Sequence, residues 1–140
     1  MSKFEEIFIK EKMRFAIVLF VGLILGFSQC NSSDSKSDDK LSLDQFLVEI
    51  GKEKLTMVDF YTTWCGPCKQ MAPFIEEIKM ENKDVVNVLK VDAEDQMDIA
   101  SKYNITGYPT LIFFKNGVVV HESLGGRSKE DLLALINRFK

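Results

Sequence analysis

The sequence predicts an α/β domain: a central mixed sheet flanked by helices on both faces. Three observations carry that prediction. Apolar, β-favouring runs alternate with helix-spaced runs from about Leu41 onward, the pattern of strands covered by helices. An Asn116-Gly117 pair between two strand-like runs marks a tight antiparallel hairpin. A last stretch places Leu132, Leu135, Ile136 and Phe139 at i, i+3, i+4 and i+7, the spacing of an amphipathic helix.

The 140 residues leave about 100 for the domain once the N-terminal segment is set aside. A chain of that size buries a workable core, and 46% hydrophobic content is ordinary for a globular protein. A net charge of −3 with no basic run argues against a nucleic-acid surface. No internal repeat is visible.

Residues Phe15 to Phe27 are thirteen apolar positions without a charge. That is short for a bilayer span and fits the core of a signal peptide, preceded by Lys10, Lys12 and Arg14. Glu5, Glu6 and Glu11 are unusual in such a leader, so Met13 is an alternative start. The apolar core ends at Gly26-Phe27-Ser28-Gln29-Cys30, which resembles a bacterial lipoprotein signal with Cys30 as the lipidated, mature N-terminus. Gln29 departs from the small residue usual there; cleavage after Ser28 and an uncleaved anchor are the alternatives. All three place the domain outside the cytoplasm, in the cell envelope. The division expected is a signal peptide at 1–29, Cys30 with a polar tether at 30–40, and one domain at 41–140. The run Asn31 to Lys40 holds no apolar residue and reads as flexible chain.

Ser42 and Gln45 form a potential capping box ahead of Leu43, Phe46, Leu47 and Ile50 at helical spacing. Leu55 to Tyr61 is an apolar run suited to a strand covered on both faces. A helix from Gly66 to about Glu81 is expected to bury Cys68, Met71, Ile75 and Ile78, with a kink at Pro73. Val85 to Asp92 is the next strand. Gln96 to Tyr103 is a short helix turning Met97, Ala100 and Tyr103 or Asn104 inward. Thr110 to Phe114 and Val118 to Glu122 form the hairpin, and Ser128 with Asp131 resembles a capping box for the last helix. His121 reads as a surface strand residue.

Chemistry concentrates around Cys65-Gly66-Pro67-Cys68. A Cys-x-x-Cys pair is either a redox dithiol or half of a zinc site. Zinc needs four ligands, and beyond the pair the chain has only Cys30 and His121. No metal or cofactor is therefore expected. With a helix starting near Gly66, Cys65 meets unpaired N–H groups and the positive end of the helix dipole. Both lower a thiol's pKa and make Cys65 the nucleophile. Cys68 is one turn deeper, at a spacing that suits a disulfide; a purely structural disulfide is the bland alternative. Asp59 sits among apolar neighbours in mid-strand, so burial should keep it neutral to a higher pH than usual. Its functional reading is proton transfer with Cys68, and its plain reading a carboxyl satisfied by backbone groups.

Trp64-Cys65-Gly66-Pro67-Cys68-Lys69 after an Asp-bearing apolar strand resembles the thioredoxin family. The likeness extends through Gly107-Tyr108-Pro109-Thr110, Phe114-Lys115-Asn116-Gly117 and Gly125-Gly126, and covers about Leu41 to Lys140. It implies the thioredoxin fold, with its opening strand short or absent here. It also implies a cis Tyr108-Pro109 peptide, whose preceding backbone pairs with the substrate strand. Trp64, Gly66, Pro67, Tyr108 and Gly125 would then make a shallow contact surface. The family's lysine beside the buried acid is replaced by Val88, with Lys90 two residues along on the same face. With no charge between the cysteines, the pair should have a low potential, of thioredoxin's order of about −270 mV, and act as a reductant. Only twenty-three residues lie between Cys68 and Asp92. That excludes the insertion of thioredoxin-like proteins dedicated to cytochrome maturation. The implied partners are disulfide-containing proteins and a membrane or reductase electron donor, with the chain working as a monomer. An exported oxidase or isomerase, and a binding module with an incidental dithiol, are the competing readings.

Overall fold

The computed structural model describes residues 40–140. The expected signal peptide, Cys30 and all of the tether but Lys40 lie outside the described residues. Helix α1 (Leu43–Ile50) opens with the expected capping box: the Ser42 hydroxyl accepts from the Gln45 N–H, and the Gln45 side chain accepts from the Ser42 N–H. Among the described residues no strand precedes it. Instead the Gln96 side-chain amide donates to the Leu41 carbonyl at 2.8 Å and ties down the entry to the helix.

The remaining elements are β1 (Leu55–Tyr61), α2 (Gly66–Glu81), β2 (Val86–Asp92), α3 (Met97–Lys102), β3 (Thr110–Lys115), β4 (Val118–Leu124) and α4 (Lys129–Phe139). The sheet order is β2-β1-β3-β4, with β1 parallel to β2 and antiparallel to β3, and β3 antiparallel to β4. Asn116 and Gly117 both take positive φ, as the tight β3–β4 turn requires. The Gly117 N–H donates to the Ile50 carbonyl, which seats the hairpin tip on the end of α1.

Period-two alternation divides the core cleanly. Leu55, Met57, Leu111 and Phe113 face α2 and α4, meeting Met71, Ile75, Ile78, Leu132 and Ile136. Val58, Phe60, Ile112 and Phe114 face the other way, toward Phe46 and Ile50 of α1 and Ile99 of α3. This is the thioredoxin fold, with helices on both faces of a mixed sheet. Asp59 shares the parity of Leu55 and Met57, so it lies under α2.

Three expectations are corrected. Met97 points outward, 67% exposed, while Ile99 is fully buried beside Ala100, which faces inward as expected, as does Tyr103. Leu47 is partly exposed on α1, at 38%, because Phe46 and Ile50 already complete that helix's buried stripe. His121 is not a plain surface residue: it is half-buried, stacked on Phe139 at 5.6 Å and tilted against Phe113 at 5.8 Å. Helix α2 continues through Pro73 to Glu81.

Candidate active site

Strand β1 ends at Tyr61, and a tight turn brings the Cys65 N–H to the Thr62 carbonyl at 3.2 Å. Cys65 then occupies the N-cap of α2, with extended backbone (φ −72, ψ 110) and Pro67 in the first turn, where its missing N–H costs nothing. Its sulfur accepts from the Cys68 N–H at 3.2 Å. The N-cap sulfur thus takes the place of the oxygen that usually satisfies these donors, and when reduced it would receive the same N–H as a thiolate. Cys65 and Cys68 are joined as a disulfide with Cα atoms 5.3 Å apart. Both are almost fully covered, at 4% and 5% exposure, while Gly66 and Pro67 between them are exposed.

Asp59 is 3% exposed, and its Oδ1 has no hydrogen-bond partner among the described residues. Burial pushes its pKa up from 3.8 to about 6, with the nearby Lys90 charge pulling against that rise. Asp59 and Cys68 line one cavity of about 250 Å³, whose mouth carries Lys69 and Lys90. Lys90 reaches across to Glu76 of α2 at 3.3 Å and lies 5.2 Å from the centre of the Tyr61 ring.

Trp64 stands beside Cys65, 64% exposed, and meets the Tyr108 ring edge-on at 5.8 Å. The Tyr108-Pro109 peptide is cis, as the resemblance implied. The Pro109 carbonyl accepts from the Gly125 N–H at 2.8 Å, and Gly125 holds φ +92, a conformation that glycine alone adopts without strain. Trp64, Gly66, Pro67, Tyr108, Pro109 and Gly125 are therefore brought to the same end of the sheet as the disulfide.

Three participants escaped the sequence reading. The Trp64 indole N–H donates to the Glu94 carboxylate at 2.9 Å, a contact thirty residues apart with no local signal. The Arg127 N–H donates to the Met71 sulfur at 3.3 Å, pinning the Gly125-Gly126 loop to α2. Thr62 also lines the cavity below the dithiol. Its neighbourhood followed only from the turn.

A disulfide at a helix N-terminus, above a buried acid and beside a cis-proline, defines a thiol–disulfide oxidoreductase. The Thioredoxin family model matches residues 38–138. The chain belongs to the thioredoxin family. It is 38% identical over 95 residues to the thioredoxin of Bacillus subtilis, covering 68% of this chain and 91% of that one. It is 39% identical over 91 residues to a thioredoxin of Staphylococcus aureus (strain MW2), covering 65% of this chain and 85% of that one. Among solved structures, thioredoxin from Malassezia sympodialis superposes with a TM-score of 0.64 at 39% identity, covering 69% of this chain and 84% of that one. Plasmodium falciparum thioredoxin gives the same TM-score at 36% identity, with 71% and 95% covered.

Proposed function

We propose that this thioredoxin-family oxidoreductase reduces protein disulfides on the outer side of the cytoplasmic membrane, held there through a lipid on Cys30. The observation that carries the reductase reading is the placement of the Cys65 sulfur as N-cap of α2, above the cavity shared by Cys68 and Asp59.

In the reduced protein, the Cys65 thiolate attacks one sulfur of a substrate disulfide and expels the other as a thiolate. Asp59 takes the proton of Cys68, whose thiolate then attacks the Cys65 sulfur. The second substrate thiolate leaves, and the Cys65–Cys68 disulfide forms. Two electrons pass to the substrate, and an external dithiol donor must return them. The substrate strand lies along the backbone before Pro109, on a surface made by Trp64, Gly66, Pro67, Tyr108 and Gly125; main-chain pairing there accepts many sequences. The polar tether from Asn31 to Lys40 supports the anchored reading, since it offers reach without a core of its own.

The test measures the Cys65–Cys68 potential and the reduction of insulin disulfides with and without an added dithiol. A potential near −270 mV with donor-dependent reduction supports the proposal. A potential above about −180 mV, with net oxidation of thiols, gives the oxidase or isomerase instead. For location, Cys30→Ser should move the protein from the membrane to the soluble fraction. An unchanged fraction, with no lipid mass on the wild-type N-terminus, removes the anchor.

A further inference from the structure

A groove of about 380 Å³ between β4 and α4 is lined by His121, Arg127, Asp131, Ala134, Leu135 and Arg138. Asp131, Ala134, Leu135 and Arg138 stand at i, i+3, i+4 and i+7, so they form one stripe along α4. That stripe flanks the buried one of Leu132 and Ile136, and all of it but the half-buried Leu135 is exposed. Arg127 and Arg138 are the only arginines among the described residues. Neither they nor Asp131 joins an ion pair there; the paired cations are Lys52, Lys90 and Lys129, each with glutamate. Arg138 is held instead over the Phe139 ring, 5.2 Å from its centre.

The order of the stripe is self-complementary. Asp131 and Arg138 lie equally far on either side of the midpoint between Ala134 and Leu135. When the helix is laid antiparallel against a copy of itself about that midpoint, Asp131 of each copy comes level with Arg138 of the other. Ala134 likewise comes level with Leu135, a small side chain against a large one. The acid in the first turn and the base in the last complement the helix dipole, and antiparallel pairing brings those unlike ends together. A two-fold contact requires this property, because the same patch serves both sides. A single small anion fits the groove less well. Arg127 and Arg138 are eleven residues apart, roughly 16 Å along the helix axis, and Asp131 stands between them.

We infer that this stripe is a dimer interface: α4 packs antiparallel against α4 of a second copy of the chain, through two Asp131–Arg138 ion pairs around an Ala134–Leu135 centre. Each chain contributes one helix of eleven residues, a small contact, so association is weak and depends on concentration. Such a dimer departs from the monomer that the family resemblance implied. Trp64, Cys65, Tyr108 and Pro109 do not line the groove, so pairing there does not use the substrate surface.

The test is sedimentation velocity on the purified full chain from about 10 µM to about 1 mM, the range of weak contacts. It compares wild type with Asp131→Arg, with Arg138→Asp, and with an equimolar mixture of the two variants. The wild type should move from one chain toward two as concentration rises. Each variant alone sets like charges against each other across the two-fold axis and should need at least about tenfold more protein to associate. In the mixture the two chains carry stripes of opposite sign, so association should return to the wild-type level or above it. That recovery also shows that both variants are folded, and insulin reduction by the same samples reads the reductase function separately. A wild type that stays monomeric throughout overturns the inference and leaves the two arginines to a partner of different sequence. Single variants that associate as readily as wild type place the contact elsewhere on the chain and overturn it too. So does a mixture that behaves as the sum of its two components.

Discussion

Lys90 is the register partner of Asp59 across the parallel pair β1–β2, and its ammonium opposes the effect of burial on that carboxyl. Desolvation is the larger influence, so the net pKa is raised, to about 6. The family's usual lysine position is taken by Val88, which is apolar and buried in the core beside Met57. A cation two residues further along, near the strand end, still reaches the acid because side chains of equal parity share a face. It does so from a rim position, where Glu76 and the Tyr61 ring hold it.

Replacing Lys90 with Met should therefore push the Asp59 pKa higher still. Asp59 must be ionised to accept a proton, so a smaller fraction would be competent near neutrality. The low-pH limb of kcat/KM against pH should move to higher pH, and the rate well above the new pKa should stay close to wild type. The lost ion pair with Glu76 is partly exposed and costs less than about 1 kcal/mol. A pH profile unmoved by Lys90→Met would show that the charge does not act on Asp59.

Gly125 offers a test of the loop that holds the substrate surface. A Cβ there would meet nothing within 4 Å, so crowding is not the obstacle. The obstacle is φ +92, which an L side chain adopts at a cost of about 1–2 kcal/mol. Gly125→Ala should lower Tm by several degrees and loosen the hydrogen bond to the Pro109 carbonyl. KM for protein substrates should rise, while the Cys65–Cys68 potential, set on α2, should hold. An unchanged Tm would mean that the loop relaxes freely.

Much of the fold could be read from residues because each buried run obeys one period. Leu55 to Phe60 is buried throughout since helices cover both faces, and the Ser42, Asn116-Gly117 and Ser128 signals act locally. The failures share a different cause. Helix α3 has only six residues, too few for periodicity to fix its edges, so the expected inward face holds for Ala100 and Tyr103 but not for Met97, and Ile99 joins it. Within the site, Cys65, Cys68 and Asp59 were legible because their chemistry is unusual for their local setting. Glu94, Met71 and Arg127 were not. Their contacts with Trp64 and with each other depend on how separate elements meet, and no sequence spacing encodes that.

Cys68→Ser separates the two thiols. With the resolving sulfur gone, attack by Cys65 should stop at a mixed disulfide with the substrate. Cells expressing the variant should accumulate dithiothreitol-sensitive adducts, and Cys65→Ser should give none. Adducts that form equally with Cys65→Ser would make Cys68 the attacking thiol, contrary to its position one turn inside the helix.

Asp59→Asn joins stability to turnover. The folded pKa of Asp59 lies above its ordinary value, so the folded state favours the protonated acid. Its contribution is fully present below pH 3.8 and is lost as pH rises toward about 6. From 3.8 to about 6 is roughly two units, and at 1.36 kcal/mol each the burial costs about 3 kcal/mol at pH 7. Asn stays neutral at every pH and avoids the ionisation, so the variant should unfold at higher denaturant than wild type at pH 7. The difference should shrink toward pH 4. Asn neither accepts nor returns a proton, however, so the Cys68-dependent step should slow at pH 7 by about a hundredfold and recover as pH passes the ordinary thiol range. Guanidinium unfolding at pH 4 and pH 7, beside single-turnover rates at pH 7 and pH 9, measures both halves. A variant that is less stable at pH 7, or as fast as wild type there, would make Asp59 a structural carboxyl and leave Cys68 to be deprotonated by another route.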